Sequence, residues 1–142
     1  MLQPGLRPEI SQGDIFDGIQ TKEVFGGREE SHSGLAVLLS HDCEFDKPNH
    51  PDVLVARVLP LAAAPESTWA AIRDGSAYHV IHLPSVGQGA EAYINLRYIH
   101  RVLKDDLRAA ATAGRRMASM TDDGRTALIA YLFRFFSRRL PA

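Results

Sequence analysis

The chain has 142 residues, a formal net charge of −1 and a single cysteine, Cys43. That length suffices to bury one core without disulfides or a structural metal, so we expect one domain over 1–142. The small charge provides no overall field for nucleic acid, and one cysteine excludes an intramolecular disulfide. No apolar run approaches the roughly 20 residues of a membrane span, and MLQPGLRPEISQGDIF lacks a signal-peptide pattern. We therefore expect a soluble, cytoplasmic protein with no membrane partner.

The N-terminal part of the sequence predicts strands separated by turns. QGDIFDGIQ indicates a short strand or two, interrupted by Gly13 and Gly18. KEVFGGREESHSG, with Gly26 and Gly27 among charged residues, is typical of a mobile surface loop. The apolar run over 35–39 is too short for an ordinary helix and predicts a buried strand.

The middle of the chain predicts another buried strand, a short helix and a strand pair. The second buried strand covers 53–61, and CEFDKPNHPD before it, with two prolines and three acids, predicts a connecting loop. PESTWAAIRDG predicts a helix of two or three turns that ends at Gly75. YHVIHLP and EAYINL alternate in polarity and predict two strands joined by the turn-rich SVGQG, and IHRVL predicts one more short strand.

The last third of the chain predicts helices. DDLRAAATAGRRMASM indicates a short helix ending near Gly114, and TDDGRTALIAYLFRFFSRR a longer helix with Thr121 as its N-cap. Its apolar stripe consists of Leu128, Tyr131, Leu132, Phe135 and Phe136. Phe133 lies outside that stripe and favours a second packing partner, which we expect to be another copy of the chain in a homodimer. Strands followed by terminal helices predict a small, strand-rich α+β domain.

Four segments in the first half follow an order known from one protein family. QGDIF opens a strand with a Gly-Asp pair, KEVFGGREESHSG is a charged glycine loop, and LAVLLSHD and DVLVARVLPL are two strands separated by a loop. This order resembles the MazF/PemK-like growth inhibitors over 1–60 and, more loosely, to Val102. The resemblance implies an SH3-like barrel over 1–103 with one short inserted helix, and C-terminal helices over 104–142. It also implies a dimer and a bacterial stress, toxin–antitoxin or defence system, and the active relatives cut single-stranded RNA without a metal.

The residues that carry cleavage in that family are replaced in this chain. The family's catalytic arginine precedes the strand matched by LAVLLS, where this chain has Gly34 and Leu35. The counterpart of the family's second catalytic residue, a Ser or Thr, is Asp52, whose charge would repel a scissile phosphate. We therefore expect a recognition module for RNA or a protein partner that uses no cofactor and does not cleave.

The segment SHDCEF, directly after the first buried strand, holds the candidate catalytic residues. In an extended strand His41 and Cys43 would share one face, and Asp42 and Glu44 the other. His41 beside Cys43 has the residue types of an activated thiol nucleophile. In a diverged hydrolase, most simply a nuclease, His41 would be the general acid or base, with Asp42 or Glu44 orienting it or holding a metal.

Other interpretations of the same segment stay open. Its side chains are zinc-competent, but neither Cys-x-x-Cys nor His-Glu-x-x-His spacing occurs, so we assign no metal site. A pocket that binds a ligand without transforming it would use Ser40, Cys43, Asp46 and Asp52. In the structural interpretation, the short acids and Ser40 accept hydrogen bonds from backbone amides while Cys43 and Phe45 close the end of the barrel.

Arginines make the C-terminal third locally basic. Arg134, Arg138 and Arg139 are the candidates for binding RNA phosphates, with Tyr93, Tyr98 or Tyr131 available to stack on bases. A solvated helix face explains the same arginines equally well.

Overall fold

The structure is a computed structural model that describes residues 1–86 and 90–139; the side chains of Phe25, Arg138 and Arg139 lie outside that description. Its elements, in chain order, are β1 (Ile15–Phe25), β2 (Arg28–Leu38), α1 (Asp42–Asp46), β3 (Asp52–Pro60), α2 (Trp69–Asp74), β4 (Val80–Val86), β5 (Ala90–Leu103), α3 (Lys104–Thr112), β6 (Arg116–Ala118) and α4 (Asp122–Arg139). Two short 3₁₀ turns, Leu61–Ala63 and Glu66–Thr68, lead into α2.

The six strands form one antiparallel sheet in the order β4-β5-β3-β2-β1-β6. The sheet curls until β1 approaches β5, although these strands are not neighbours in that order. The result is a half-barrel followed by C-terminal helices, which confirms the strand-rich α+β class. None of the helices among the described residues is long and apolar enough to cross a membrane.

The two buried strands are confirmed, and packing on both faces of the sheet explains their continuous apolar runs. Ala36, Val37 and Leu38 in β2 are at most 1% exposed. Val37 packs in the cluster that contains residues of α4, whereas its neighbours Ala36 and Leu38 pack in the cluster that contains residues of α3. Successive side chains of a strand point to opposite faces, so covering both faces requires apolar residues at every position.

The prediction of a mobile loop at KEVFGGREESHSG is wrong. These residues form the paired ends of β1 and β2, and the hairpin turns at Gly26 and Gly27, whose φ angles are +55° and +81°. Two glycines with positive φ produce the twist that a two-residue hairpin requires. Most of the charged side chains are exposed to solvent. The polar composition of the segment therefore arises from solvent-facing strand positions and not from a loop.

Three further elements differ from the sequence predictions. CEFDKPNHPD is not wholly loop, because α1 begins at Asp42. His41 is extended but Asp42 to Glu44 are helical, so the strand faces considered for these residues do not form. IHRVL is no separate strand but the end of β5, which continues past a register shift opposite Ala56 and Arg57 of β3. The three-residue strand β6 was not predicted, since so short a segment carries no periodicity.

The predicted helices and the β4–β5 pair are confirmed. Helix α2 ends at Gly75 in the left-handed conformation, and Thr121 caps α4 by accepting a hydrogen bond from the Gly124 amide at 2.9 Å. Leu128 and Phe135 of the α4 stripe are fully buried, whereas Phe136 is 49% exposed. Phe133 is 76% exposed, and the homodimer stays a prediction.

A buried carboxylate at the start of β1 joins the N-terminal segment to the sheet. Asp14 is fully buried and accepts hydrogen bonds from the Ser11 amide at 2.9 Å and from Nε of Arg116 at 2.7 Å. Burial raises the pKa of this carboxyl, although the bonds from Ser11, Ser119 and Arg116 oppose the change. The preceding Gly13 has φ +89°, and a Cβ there would lie 2.8 Å from Sδ of Met120.

We expect Gly13→Ala to lower the free energy of unfolding by about 1–3 kcal/mol, since it combines a left-handed backbone with a steric clash. Gly34→Ala is the matched control: Gly34 lies in β2 without positive φ, and its added Cβ meets nothing within 4 Å. We expect that change to stay within about 0.5 kcal/mol of the wild type. Urea denaturation measures both, and equal effects of the two substitutions would contradict this account of Gly13.

Candidate functional site

The corner after β2 is tied to β3 by Ser40. The Oγ of Ser40 accepts a hydrogen bond from the Leu54 amide at 2.8 Å, and the Leu39 amide donates to the Leu54 carbonyl at 2.9 Å. His41 then caps α1, because its Nδ1 accepts from the Cys43 amide at 3.3 Å. The chain therefore leaves the sheet as a short helical turn, which sets the direction of every side chain in SHDCEF.

Asp42 joins the corner to two distant parts of the chain. Its Oδ1 accepts a hydrogen bond from the Gln12 amide at 2.7 Å, and its Oδ2 is 2.8 Å from Nη2 of Arg125 on α4. Both oxygens of the carboxylate are thus occupied by structural partners. This agrees with the structural interpretation of the segment and leaves neither oxygen free to orient His41.

His41 and Cys43 do meet, although not as neighbours on one face of a strand. The Nδ1 of His41 lies 3.2 Å from the Sγ of Cys43, and both residues are exposed. Glu44 instead pairs with Lys47, whose Nζ lies 2.7 Å from its Oε1, and this bond lowers the pKa of the Glu44 carboxyl. Asp46 is exposed, with no side-chain partner among the described residues.

A cavity of about 400 Å³ lies beside this corner, between the end of β2, the loop before β3 and the outer face of β5. We call it the corner pocket; its lining residues are Ser40, Glu44, His50, Pro51, Asp52, Val53, Leu54 and Arg101. Three predicted site residues, Ser40, Glu44 and Asp52, thus come together. The other four, His41, Asp42, Cys43 and Asp46, do not line it.

Two polar residues of the corner pocket were missed by the sequence predictions of its site. His50 lies in the loop next to Asp52, so proximity in sequence was an available signal. Arg101 lies far away in the chain and reaches the pocket because β5 pairs with β3 in the register that sets Arg101 opposite Leu54. Nothing in a single sequence encodes that register.

The catalytic roles assigned to His41, Asp42 and Glu44 stay predictions. Across 1–86 and 90–139, no group of three or more His, Cys, Asp or Glu side chains is placed to hold a metal ion. The two carboxylates that would orient His41 have other partners, Arg125 and Lys47. The arrangement therefore offers no assembled acid–base pair in this segment.

A second candidate site lies where the curled sheet fails to close. Beyond Phe16 only β2 pairs with β1, and beyond Asn95 only β3 pairs with β5, so two strand edges among the described residues are unpaired and face each other. Three cavities of 290–340 Å³ follow this junction, and each shares lining residues with the next. Together they form a groove along residues 18–24, which is about 20 Å long at about 3.3 Å per residue.

We call this the seam groove, and basic side chains line it from end to end. They are Lys22, Arg97, Arg101 and Arg115. The guanidinium groups of Arg97 and Arg101 form no hydrogen bond or ion pair with another described residue, and both residues are exposed. Asp106 is the one exposed acid among the lining residues.

The floor of the seam groove contains a buried carboxylate, Glu23. Its side chain is 3% exposed and lies 2.8 Å from Nη1 of Arg57, 3.3 Å from Nε2 of His32 and 3.4 Å from Nε2 of His100. These partners belong to β3, β2 and β5, so the Glu23 cluster connects four strands. Burial lowers the pKa of His100, although Glu23 opposes this change.

Of the residues predicted to bind RNA, Arg134 and Tyr131 contact each other. Nη2 of Arg134 donates to the Gly75 carbonyl at 3.0 Å, and its guanidinium lies 5.1 Å from the centroid of the Tyr131 ring. The side chains of Arg138 and Arg139 fall outside the described residues. Tyr93 is buried, with 7% of its surface exposed, and Tyr98 is among the residues that line the seam groove.

We expect Asp42→Ala to lower the free energy of unfolding by about 1–3 kcal/mol, because it leaves Arg125 and the Gln12 amide without their acceptor. The control is Asp46→Ala, which removes an exposed acid from the same helix and should be nearly neutral. Chemical denaturation of both variants measures the difference. If the two proteins were equally stable, Asp42 would not be a structural link.

We expect the His100 imidazole to titrate below pH 6.5, since burial favours its neutral form. In the unfolded chain His100 therefore binds its proton at a higher pH than in the folded protein. As the pH falls from 6.5 towards the folded pKa of His100, the free energy of unfolding decreases. NMR titration of the imidazole signals measures this pKa. Glu23→Gln should lower it further by removing the opposing charge; an unchanged or higher value would contradict the contact between these residues.

Comparisons with known proteins identify no family. A scan against protein-family models finds no match to this chain, and a search of curated proteins finds no significant match. The MazF/PemK-like resemblance therefore remains an expectation from the sequence.

Proposed function

We propose that this chain is a MazF/PemK-like, SH3-like barrel that binds single-stranded RNA in the seam groove and does not cleave it. The observation that carries the proposal is the pair of unpartnered guanidinium groups, Arg97 and Arg101, on one wall of a continuous groove. Lys22 lines the same two cavities as these arginines, and Arg115 extends the basic lining into the third cavity. A positive groove that follows an extended path suits a phosphate backbone.

The length of the groove suits a short single strand. Its length of about 20 Å is on the scale of the shortest single-strand sites, roughly four nucleotides. Single-strand sites of this kind combine a basic groove with a backbone path of a few nucleotides. RNA is favoured over DNA by the resemblance drawn from the sequence.

The electrostatics of the groove floor support an anionic ligand. Glu23 lines the groove, but Arg57 neutralises its charge at 2.8 Å and its side chain is only 3% exposed. Lys22 has one long ion pair, at 3.4 Å from Glu29, and both side chains remain mostly exposed. The exposed lining is therefore positive, although the chain as a whole has a formal charge of −1.

The absence of cleavage is proposed from the residues available. Asp42 and Glu44 are engaged by Arg125 and Lys47, and His41 contacts Cys43 at the corner and not in the groove. His100 lies on the groove floor, but its Nε2 faces Glu23 at 3.4 Å. The imidazole of His100, the histidine among the described lining residues of the groove, is 13% exposed and lies against the buried Glu23. The groove therefore presents no exposed acid–base pair among these residues.

We expect the double variant Arg97→Ala/Arg101→Ala to bind RNA more weakly and with less dependence on salt. Each lost phosphate contact on a single strand reduces the slope of log K against log salt by about 0.7, so the slope should flatten by about 1.4. Fluorescence anisotropy with a labelled, unstructured ten-nucleotide RNA measures the affinity from low to moderate salt.

The matched control is Arg73→Ala/Arg108→Ala, which removes two exposed arginines that lie outside the groove and already pair with Glu91 and Asp105. We expect this variant to keep the wild-type slope. The proposal fails if the wild-type chain does not bind RNA at low salt, or if both double variants change the slope alike. Equal affinity for DNA of the same sequence would contradict RNA as the specific ligand.

A further inference from the structure

The corner pocket and the seam groove share one residue, Arg101. This side chain lines the pocket beside β3 and also the middle cavity of the groove. A strand whose phosphate binds Arg101 in the groove would have its neighbouring base within reach of the pocket. The two cavities thus adjoin at the Arg101 side chain.

The corner pocket has a mixed lining, whereas the exposed lining of the seam groove is mostly basic. The pocket contains Glu44, which pairs with Lys47, and Asp52, which pairs with no other described residue, together with His50 and Arg101. The charge of Asp52 would repel a phosphate there, whereas a base is uncharged and presents an apolar ring. About 400 Å³ is within the range of cavities that hold small ligands.

The free polar atoms of the pocket specify which base edge it would accept. Asp52 is exposed, and its carboxylate has no hydrogen bond or ion pair with another described residue. In Glu44, Lys47 occupies Oε1 and leaves Oε2 available. Ionised carboxylates only accept hydrogen bonds, so the pocket requires a base edge that is rich in N–H donors.

Ser40 supplies the opposite polarity. Its oxygen accepts the Leu54 amide at 2.8 Å, and its O–H has no acceptor among the described residues, so the hydroxyl can donate to a ligand. An edge with two neighbouring N–H donors beside a carbonyl oxygen is the Watson–Crick edge of guanine. Uracil has a single N–H between two carbonyls, and cytosine and adenine each offer one amino group next to a ring acceptor.

We infer that the corner pocket is a specificity site that binds an unpaired guanine of the RNA held in the seam groove. Asp52 accepts from the N–H donors of the base, and Ser40 donates to its carbonyl oxygen. Arg101 fixes the adjoining phosphate. This inference rests on the proposed function, because the groove must bind the strand before the pocket can select a base.

The experiment compares two labelled ten-nucleotide RNAs by fluorescence anisotropy, one all uridine and one with a single central guanine. We expect the wild-type chain to bind the guanine-containing RNA about tenfold more tightly, the scale of one good bidentate contact to a base. Asp52→Asn should abolish most of this difference, because it replaces one of the two accepting oxygens with an NH2 group that donates. The affinity for the uridine RNA should remain close to that of the control variant.

The control variant is Asp46→Asn, which removes an exposed acid from the same corner but not from the pocket lining. It corrects for the general effect of removing one negative charge, and it should keep the preference for guanine. If the wild-type chain binds both RNAs equally, or if Asp52→Asn weakens both equally, the pocket is not a guanine site while the groove function stands. If neither RNA binds at low salt, both proposals fail.

Discussion

The buried carboxylate of Glu23 joins four strands of the curled sheet. It lies on β1 and contacts side chains of three other strands, Arg57, His32 and His100. A charge that is 3% exposed requires compensation, and removing one partner of such a pair leaves the other charge buried. Only a sheet in which β1 approaches β5 brings His100 to Glu23. The cluster therefore stabilises the curled form of the sheet, because its contacts are complete only there.

The same curvature creates the groove. Because β1 and β5 meet through side chains and not through a ladder of backbone hydrogen bonds, their edges stay open over the length of 18–24. Open edges are usually protected with charged side chains. Here Lys22, Arg97 and Arg101 are placed at these edges, so the residues that protect the edges also form a positive surface. The open edges of β1 and β5 thus explain both why charged side chains are needed there and why a positive groove forms.

Some residues of the corner at Ser40 make structural contacts, and others line the corner pocket. Asp42 holds α4 and the N-terminal segment, and His41 begins α1, so these two side chains are committed to the fold. The Asp52 carboxylate forms no hydrogen bond or ion pair with another described side chain, and Glu44 forms only an exposed ion pair with Lys47. The acids that remain available are those that face the cavity. The segment with the reactive side chains therefore borders a cavity, while two of its members, His41 and Asp42, have structural partners.

Sequence alone determined the elements whose signals are local. The continuous apolar runs of β2 and β3, the Gly75 terminus of α2 and the Thr121 cap of α4 are each encoded within a few neighbouring residues, since burial, turn geometry and capping act over that distance. Local signals misled where composition was ambiguous. The charged segment around Gly26 and Gly27 has a composition typical of a loop, although its backbone forms a paired β-hairpin.

Only the tertiary structure decided the candidate sites. Arg101 reaches both cavities because of its register opposite Leu54, and Glu23 meets His100 because the sheet curls. Such contacts depend on the pairing of strands that are distant in the chain. The polarity pattern of one strand predicts which of its side chains are buried, but not which residues of another strand lie opposite them. The sequence by itself therefore determined the two buried strands, the β4–β5 pair and the three longer helices, but not the β1–β2 hairpin, α1 or β6. The tertiary structure decided which charged side chains meet, because that requires the long-range pairing to form first.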